Sequence, residues 1–343
     1  MRWALALMGA VCLWAATDPR AAAEAEQGLA LARAGKYELA IAHYKAAIAL
    51  DPRLPGVDLN LGLAYFKWNK LPEAAAAFER ATRADPSSFQ AHVLLGMTYF
   101  GSRRFDAAAV QLKLASGLQP DNVELRYKLA QCYLQTKRYQ EAIAEFRFLL
   151  GKDPNSAPVH MLLGQVLDAA NREDEATAEF EAAAKAGPRE PEVHFGLGYM
   201  YWKQKRYEEA RREFQAELAN QPQHTQALAY LGDTEMRAND NRQAAEHLRQ
   251  ALKLDANQRL AHLDLGIALA ALGDAAEAER EFREAIRQDP SRPDAHYRLG
   301  RLWSSLGRQK DAEAEFAKVR ELGQEQPPPP LLGMPGRSGE AKP

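Results

Sequence analysis

The sequence predicts an all-α fold, a stack of short helical hairpins, and three observations carry that prediction. A spacing of 34 residues runs through nearly the whole chain. At fixed places in that spacing, small and large apolar residues recur with the period of a helix rather than of a strand. Helix-ending punctuation returns at the same interval and cuts the periodic stretches into segments too short to fold alone.

Residues 55–88 show the unit most clearly. Leu61, Gly62 and Tyr65 share one face of a first helix, and Ala74, Phe78 and Ala81 share one face of a second. Asn69 suits the bend between them, because Asn tolerates the left-handed conformation of a helix stop. Pro72 fits the first turn of the second helix, where a missing N–H is harmless. Asp85-Pro86 ends that helix, since the residue before Pro is driven out of the helical region.

The unit repeats in register. The closing Pro returns at Pro52, Pro86, Pro120, Pro154, Pro188, Pro222 and Pro290, with Ala256 standing where the seventh of the series is expected. The small residue of the first helix is Gly28, Gly62, Gly96, Ala130, Gly164, Gly198, Gly232, Gly266 and Gly300. The small residue of the second is Ala40, Ala74, Ala108, Ala142, Ala176, Ala210, Ala244, Ala278 and Ala312. The large residue four positions on is Tyr44, Phe78, Leu112, Phe146, Phe180, Phe214, Leu248, Phe282 and Phe316. Period and pattern resemble the tetratricopeptide repeat (TPR) over roughly residues 21–324. The resemblance implies an α-α superhelix, a TPR solenoid of nine repeats in which each unit contacts mainly its neighbours. It also implies a role in binding partners rather than a chemistry, because such arrays serve many processes.

Length alone, at 343 residues, would suggest two or three domains; the repeat makes residues 24–324 one array instead. The formal net charge of −2 gives no reason to expect a nucleic-acid partner. The first 23 residues read as a secretory signal peptide. Arg2 is the basic start, Trp3–Ala16 an apolar run short for a bilayer, and Ala21-Ala22-Ala23 an A-x-A site before Glu24. Cleavage nearer Ala16 and an uncleaved anchor are the alternatives. A lipoprotein signal is disfavoured by Val11 before Cys12. The reading therefore expects export, to the periplasm or beyond, with no transmembrane span after cleavage. Cys132 is then the one thiol and reads as a small core hydrophobe. Residues 325–343 are Pro-rich and read as a disordered tail, in which Leu331, Leu332 and Met334 could fold back on the last helix.

No catalytic residue, cofactor or metal is expected. Leader, repeats and tail leave no segment for a catalytic domain. His92, His160, His194, His262 and His296 all hold the fourth position of their repeats, with no Cys or carboxylate beside them at ligand spacing, and read as core-edge packing. The Gly196-x-Gly198 pair lies inside a helix with no strand before it, against a dinucleotide loop.

Positions 4, 7, 8 and 11 of each repeat fall on the core side of the first helix, and positions 2, 5, 9 and 12 roughly opposite. The resemblance makes that opposite side a concave groove. A merely solvated face would be polar, yet it reads Leu59, Leu63, Phe66, then Val93, Met97, Phe100, then Tyr127, Gln131, Leu134, and in the sixth repeat Phe195, Tyr199, Trp202. An apolar, aromatic patch of this kind marks a partner site suited to a protein or peptide, the alternative being that neighbouring first helices cover these side chains. A polysaccharide, or a role as a secretion-channel accessory subunit, is the alternative. The carboxylate-gripping clamp of some TPR proteins is not matched: Asn60 fits one position, but Ala25, Leu29, Gln90 and Leu94 supply no cation. The seventh repeat is irregular. Glu235 replaces a large core residue, Arg242-Gln243 replaces the usual acids, and Glu217 stands just before at a place that is mostly Ala. The two glutamates mark drift in a tolerant unit or, more sharply, a flexible seam or a polar subsite that supplies them with partners.

Overall fold

A computed structural model describes residues 18–323. The expected tail at 325–343, and the expected leader up to residue 17, lie outside the described residues. Among those described, eighteen helices pair into nine hairpins. They are α1 (Pro19–Arg33) with α2 (Tyr37–Leu50), α3 (Val57–Lys67) with α4 (Leu71–Ala84), α5 (Phe89–Gly101) with α6 (Phe105–Leu118), and α7 (Val123–Gln135) with α8 (Tyr139–Lys152). Next come α9 (Ala157–Ala169) with α10 (Glu173–Ala186), α11 (Val193–Lys203) with α12 (Tyr207–Asn220), and α13 (Thr225–Arg237) with α14 (Asn241–Leu254). The series closes with α15 (Arg259–Leu272) and α16 (Ala275–Gln288), then α17 (Pro293–Ser305) and α18 (Gln309–Gly323). The fold class is all-α, the helical-hairpin solenoid that the spacing predicts.

The helices fall into two compact units. The first runs to Asn155 and includes 165–172; the second holds 156–164 and the chain from Glu173 on. In the first, α2 packs on α3, α4 on α5 and α6 on α7; in the second, α10 packs on α11, α12 on α13, α14 on α15 and α16 on α17.

Each hairpin closes on the small-large pair. A Cβ added at Gly62 would lie 2.5 Å from the Phe78 ring, so the absence of a side chain there is what lets α3 and α4 approach. Tyr44, Phe78, Phe146, Phe180, Phe214 and Phe282 are fully buried as a result. Burial of one such side chain is worth about 1.5–3 kcal/mol. The bends follow the same register: Asn69, Arg103, Lys137, Asn171, Lys205 and Asn239 all sit at positive φ, as do Gly35, Gly273 and Gly307. Asn69, at φ 59°, takes the left-handed conformation expected of it. Cys132 is buried, and burial pushes its thiol up to about 12, which makes it a core side chain.

The first hairpin starts earlier than Glu24. Asp18 caps α1 by accepting the Arg20 N–H at 2.9 Å, and Ala21 is buried in the cluster that holds Ala40, Ile41 and Tyr44. The Ala23–Glu24 bond therefore lies inside α1. Cleavage there would remove the cap and a core side chain, whereas cleavage near Ala16 would leave α1 whole.

Candidate functional site

The first helices carry the candidate site, and the two units present it separately. In the first unit Leu59, Leu63 and Phe66 on α3, Val93, Met97 and Phe100 on α5, and Tyr127 and Gln131 on α7 are all half-buried. They are neither core nor fully solvated. Phe105 meets the Phe100 ring edge-on at 5.4 Å, and the Lys128 ammonium lies 4.9 Å from its centroid. Lys128 also donates to Gln131 Oε1 at 3.1 Å, so α7 holds a cation over an α5 aromatic. Tyr127 packs edge-on against the core ring of Phe146 at 6.4 Å, and burial raises its phenol.

In the second unit Tyr199 and Trp202 are half-buried on α11 with their rings stacked, 6.2 Å apart and 20° from parallel. Phe195 departs from expectation. It is 1% exposed and belongs to the core. Helical arithmetic places it opposite the hairpin core, but the next first helix and its cap cover it, with Tyr230 meeting its ring at 5.8 Å and His224 stacking on it at 4.9 Å, while Phe214 of its own hairpin lies at 5.9 Å. Gly196 beside it would put a Cβ 2.5 Å from the Phe180 ring, so the GxG pair serves close helix packing.

The seventh repeat is where sequence reasoning saw least. Its nine residues from Ala227 to Glu235 are all buried. Glu217 is completely buried on α12 and accepts the backbone N–H groups of Glu192 and Phe195, each at 3.1 Å. It supplies the N-terminal acceptors that α11 lacks, since Glu192 makes no side-chain cap. Glu235, also fully buried, takes His247 at 2.8 Å on one oxygen, while the other accepts no hydrogen bond. Asp233 accepts the Trp202 indole N–H at 2.5 Å and Arg237 Nε at 2.7 Å on the same oxygen. Arg237 in turn lies 5.6 Å from the Trp202 centroid. Both glutamates have partners and residues 227–235 are buried, an arrangement that agrees with the polar-subsite reading. Tyr230, Asp233 and Arg237 were missed. For Asp233 the available signal was a charge at the ninth position, where Leu29, Leu63, Met97, Tyr199 and Ile267 stand in other repeats; Tyr230 and Arg237 gave none.

The fourth-position histidines act as fasteners. His160, His194, His262 and His296 each hold a glutamate 19 residues on, in the second helix of the same hairpin, at 2.5–2.6 Å. His194 and His262 also point their other ring nitrogen at the carbonyl oxygens of Pro188 and Ala256. Two acceptors per ring call for two N–H donors, the imidazolium form. Accordingly the hydrogen bond to Glu213 raises His194 above 6.5, with burial opposing; for His262 burial opposes, and the Glu281 hydrogen bond prevails. A folded value above the unfolded one gives stability that is complete below pH 6.5 and lost as pH rises through the folded value. The urea midpoint should therefore fall between about pH 6 and about pH 8.5, and the His194→Gln/His262→Gln double variant should flatten that slope. A midpoint that rises with pH over this range would refute the assignment. Among the described residues no three His, Cys, Asp or Glu side chains are placed to hold a metal ion.

A further surface had no counterpart in the sequence reading. Val110, Leu114 and Leu118 form an exposed apolar stripe on α6, beside a shallow cleft of about 490 Å³ that Tyr133 and Arg138 also line. No described helix is long and apolar enough to cross a membrane.

Stacked hairpins closed by a small residue in one helix and a large one in the next define a helical repeat protein. The chain belongs to the tetratricopeptide repeat family, whose patterns match residues 59–115, 161–225, 231–293 and 263–327, with further matches at 99–166 and 28–69. Proteins of this family are typically interaction scaffolds. Similar solved structures include YrrB, described as "a TPR protein with an unusual peptide-binding site", at 22% identity over 52% of this chain and 93% of that one, TM-score 0.47. Others are a MamA structure at 20% identity, covering 48% and 95%, TM-score 0.45, and MamA 41-end from Desulfovibrio magneticus RS-1 at 21%, covering 50% and 96%, TM-score 0.47. No curated protein matches the chain significantly.

Proposed function

We propose that the protein is an exported, non-catalytic TPR scaffold whose inner first-helix faces bind a partner protein or peptide. The carrying observation is that Leu63, Phe66, Met97, Phe100, Tyr199 and Trp202 stay half-buried although their neighbouring helices are already packed. Large apolar and aromatic side chains left partly open, with rings held in place by neighbours, favour an extended peptide or a helix laid along the face. The stacked Tyr199–Trp202 pair also favours a second reading, a polysaccharide-binding envelope subunit, because parallel aromatic planes suit sugar rings.

Pull-down from native-host envelope and soluble fractions, set beside a glycan array, separates the two. The protein reading expects a bound protein lost with Met97→Ser or Tyr199→Ser and no glycan signal; a glycan signal lost with Tyr199→Ser favours the second. Retention of every captured protein by both variants overturns the groove reading. The export part rests on the leader. The mature protein is expected in the envelope or medium with its N-terminus before Asp18, which keeps the α1 cap and buried Ala21. Intact mass of native material checks this, and a soluble cytosolic form retaining Met1 contradicts it.

A further inference from the structure

A diagonal of contacts crosses the first helices of the second unit. Trp202 on α11 and Asp233 on α13 are 31 residues apart and hydrogen-bonded; Tyr199 and Tyr230, with the same separation, meet ring to ring at 5.6 Å. The next step of 31 from Asp233 is Asp264, on α15. It is 6% exposed, and among the described residues it accepts no hydrogen bond and forms no ion pair. The cations around it are committed elsewhere or stand off. Arg237 is bonded to Asp233, Arg259 grips both oxygens of Asp294 at 2.8 and 2.9 Å, and Arg298 acts on Asp264 only through space. Burial and the facing Asp233 carboxylate push Asp264 well above the usual carboxylate range. A buried carboxyl that faces another and has no partner is costly unless a cation or a donor meets it.

The same place shows how a cation fits. Arg237 lies against the Trp202 ring while its guanidinium bonds a carboxylate, a cation–π contact and a charged hydrogen bond made together. We propose that the inner face of α11, α13 and α15 carries a subsite for a lysine or arginine side chain of the bound peptide, held by Asp264 and Asp233 beside Trp202. This rests on the groove reading and specifies its ligand: a peptide with a basic residue between apolar ones, whose flanking side chains lie on the Tyr199–Trp202 platform.

The test uses the full chain and four peptides, acetyl-Ala-Leu-X-Leu-Ala-amide, with X lysine, arginine, norleucine or glutamate. The indole N–H of Trp202, fixed on Asp233, is followed by ¹⁵N NMR. Lysine and arginine peptides should bind about tenfold or more tighter than the norleucine peptide, with the glutamate peptide weakest. In Asp264→Asn the preference should shrink to about twofold or less, with norleucine affinity unchanged. Independently of any variant, a peptide with Nε-acetyl-lysine at X should bind like norleucine. Binding of all four peptides without a basic preference, or an undiminished preference in Asp264→Asn, overturns the subsite and leaves the groove standing. Failure of every peptide to shift the resonance overturns both.

Discussion

Phe78→Ala and Phe214→Ala are each expected to destabilise the fold by about 3–5 kcal/mol, the range for emptying a fully buried aromatic site. Both rings fill the space opposite a first-helix glycine, and the helices cannot collapse further onto the void without losing register with the next hairpin. Phe195→Ala belongs with them, since its ring is enclosed by Phe214, His224 and Tyr230. Phe66→Ala and Phe100→Ala should cost less, about 1–2 kcal/mol, because half-buried rings have less transfer free energy to lose and leave no closed cavity. Trp202→Ala should fall between, at about 2–4 kcal/mol, for it also strips a donor from buried Asp233. Urea unfolding of the single variants gives the order; a cost for Phe66 equal to that for Phe78 would make the inner face a folding core.

Glu217→Ala should be among the most damaging single changes, at about 2–5 kcal/mol. Two backbone N–H groups at the buried start of α11 lose their acceptor, at about 1–3 kcal/mol each. Glu217→Gln keeps one acceptor oxygen and should cost roughly half as much. Hydrogen exchange should show the loss first at Glu192–Phe195, before the rest of α11 and α12. An unfolding midpoint for Glu217→Ala indistinguishable from the parent would mean that solvent already serves those amides.

The fold was legible because a repeat states its packing many times over: Gly62 and Phe78 predict each other's environment, and eight other pairs say the same. The bend at Asn69 was legible from local chemistry, but Arg103, Lys137 and Lys205 take the same conformation without any residue preference to announce it. The register imposes it. The inner face was legible as a face and not in depth. Position within one helix cannot report what the next helix brings, and Phe195 is covered because Tyr230, 35 residues later, is large. Glu217 and Glu235 were visible as acids at core positions, but their partners lie on or beside the other helix of the same hairpin, at sequence distances that the repeat pattern does not announce. Asp264 drew no attention because its repeat is otherwise regular; only the 31-residue diagonal gives it a neighbour.

Photo-crosslinking tests the central claim of an inner-face partner site most directly. Benzoylphenylalanine placed at Leu63 or Tyr199, on the inner faces, and at Val110, on the exposed α6 stripe, is irradiated in cells of the native host. One or more defined protein adducts from positions 63 or 199, reduced by Met97→Ser or by Asp264→Asn respectively, are the expected result, with a different or empty pattern from 110. Adducts confined to position 110 would contradict the inner-face site and move recognition to α6.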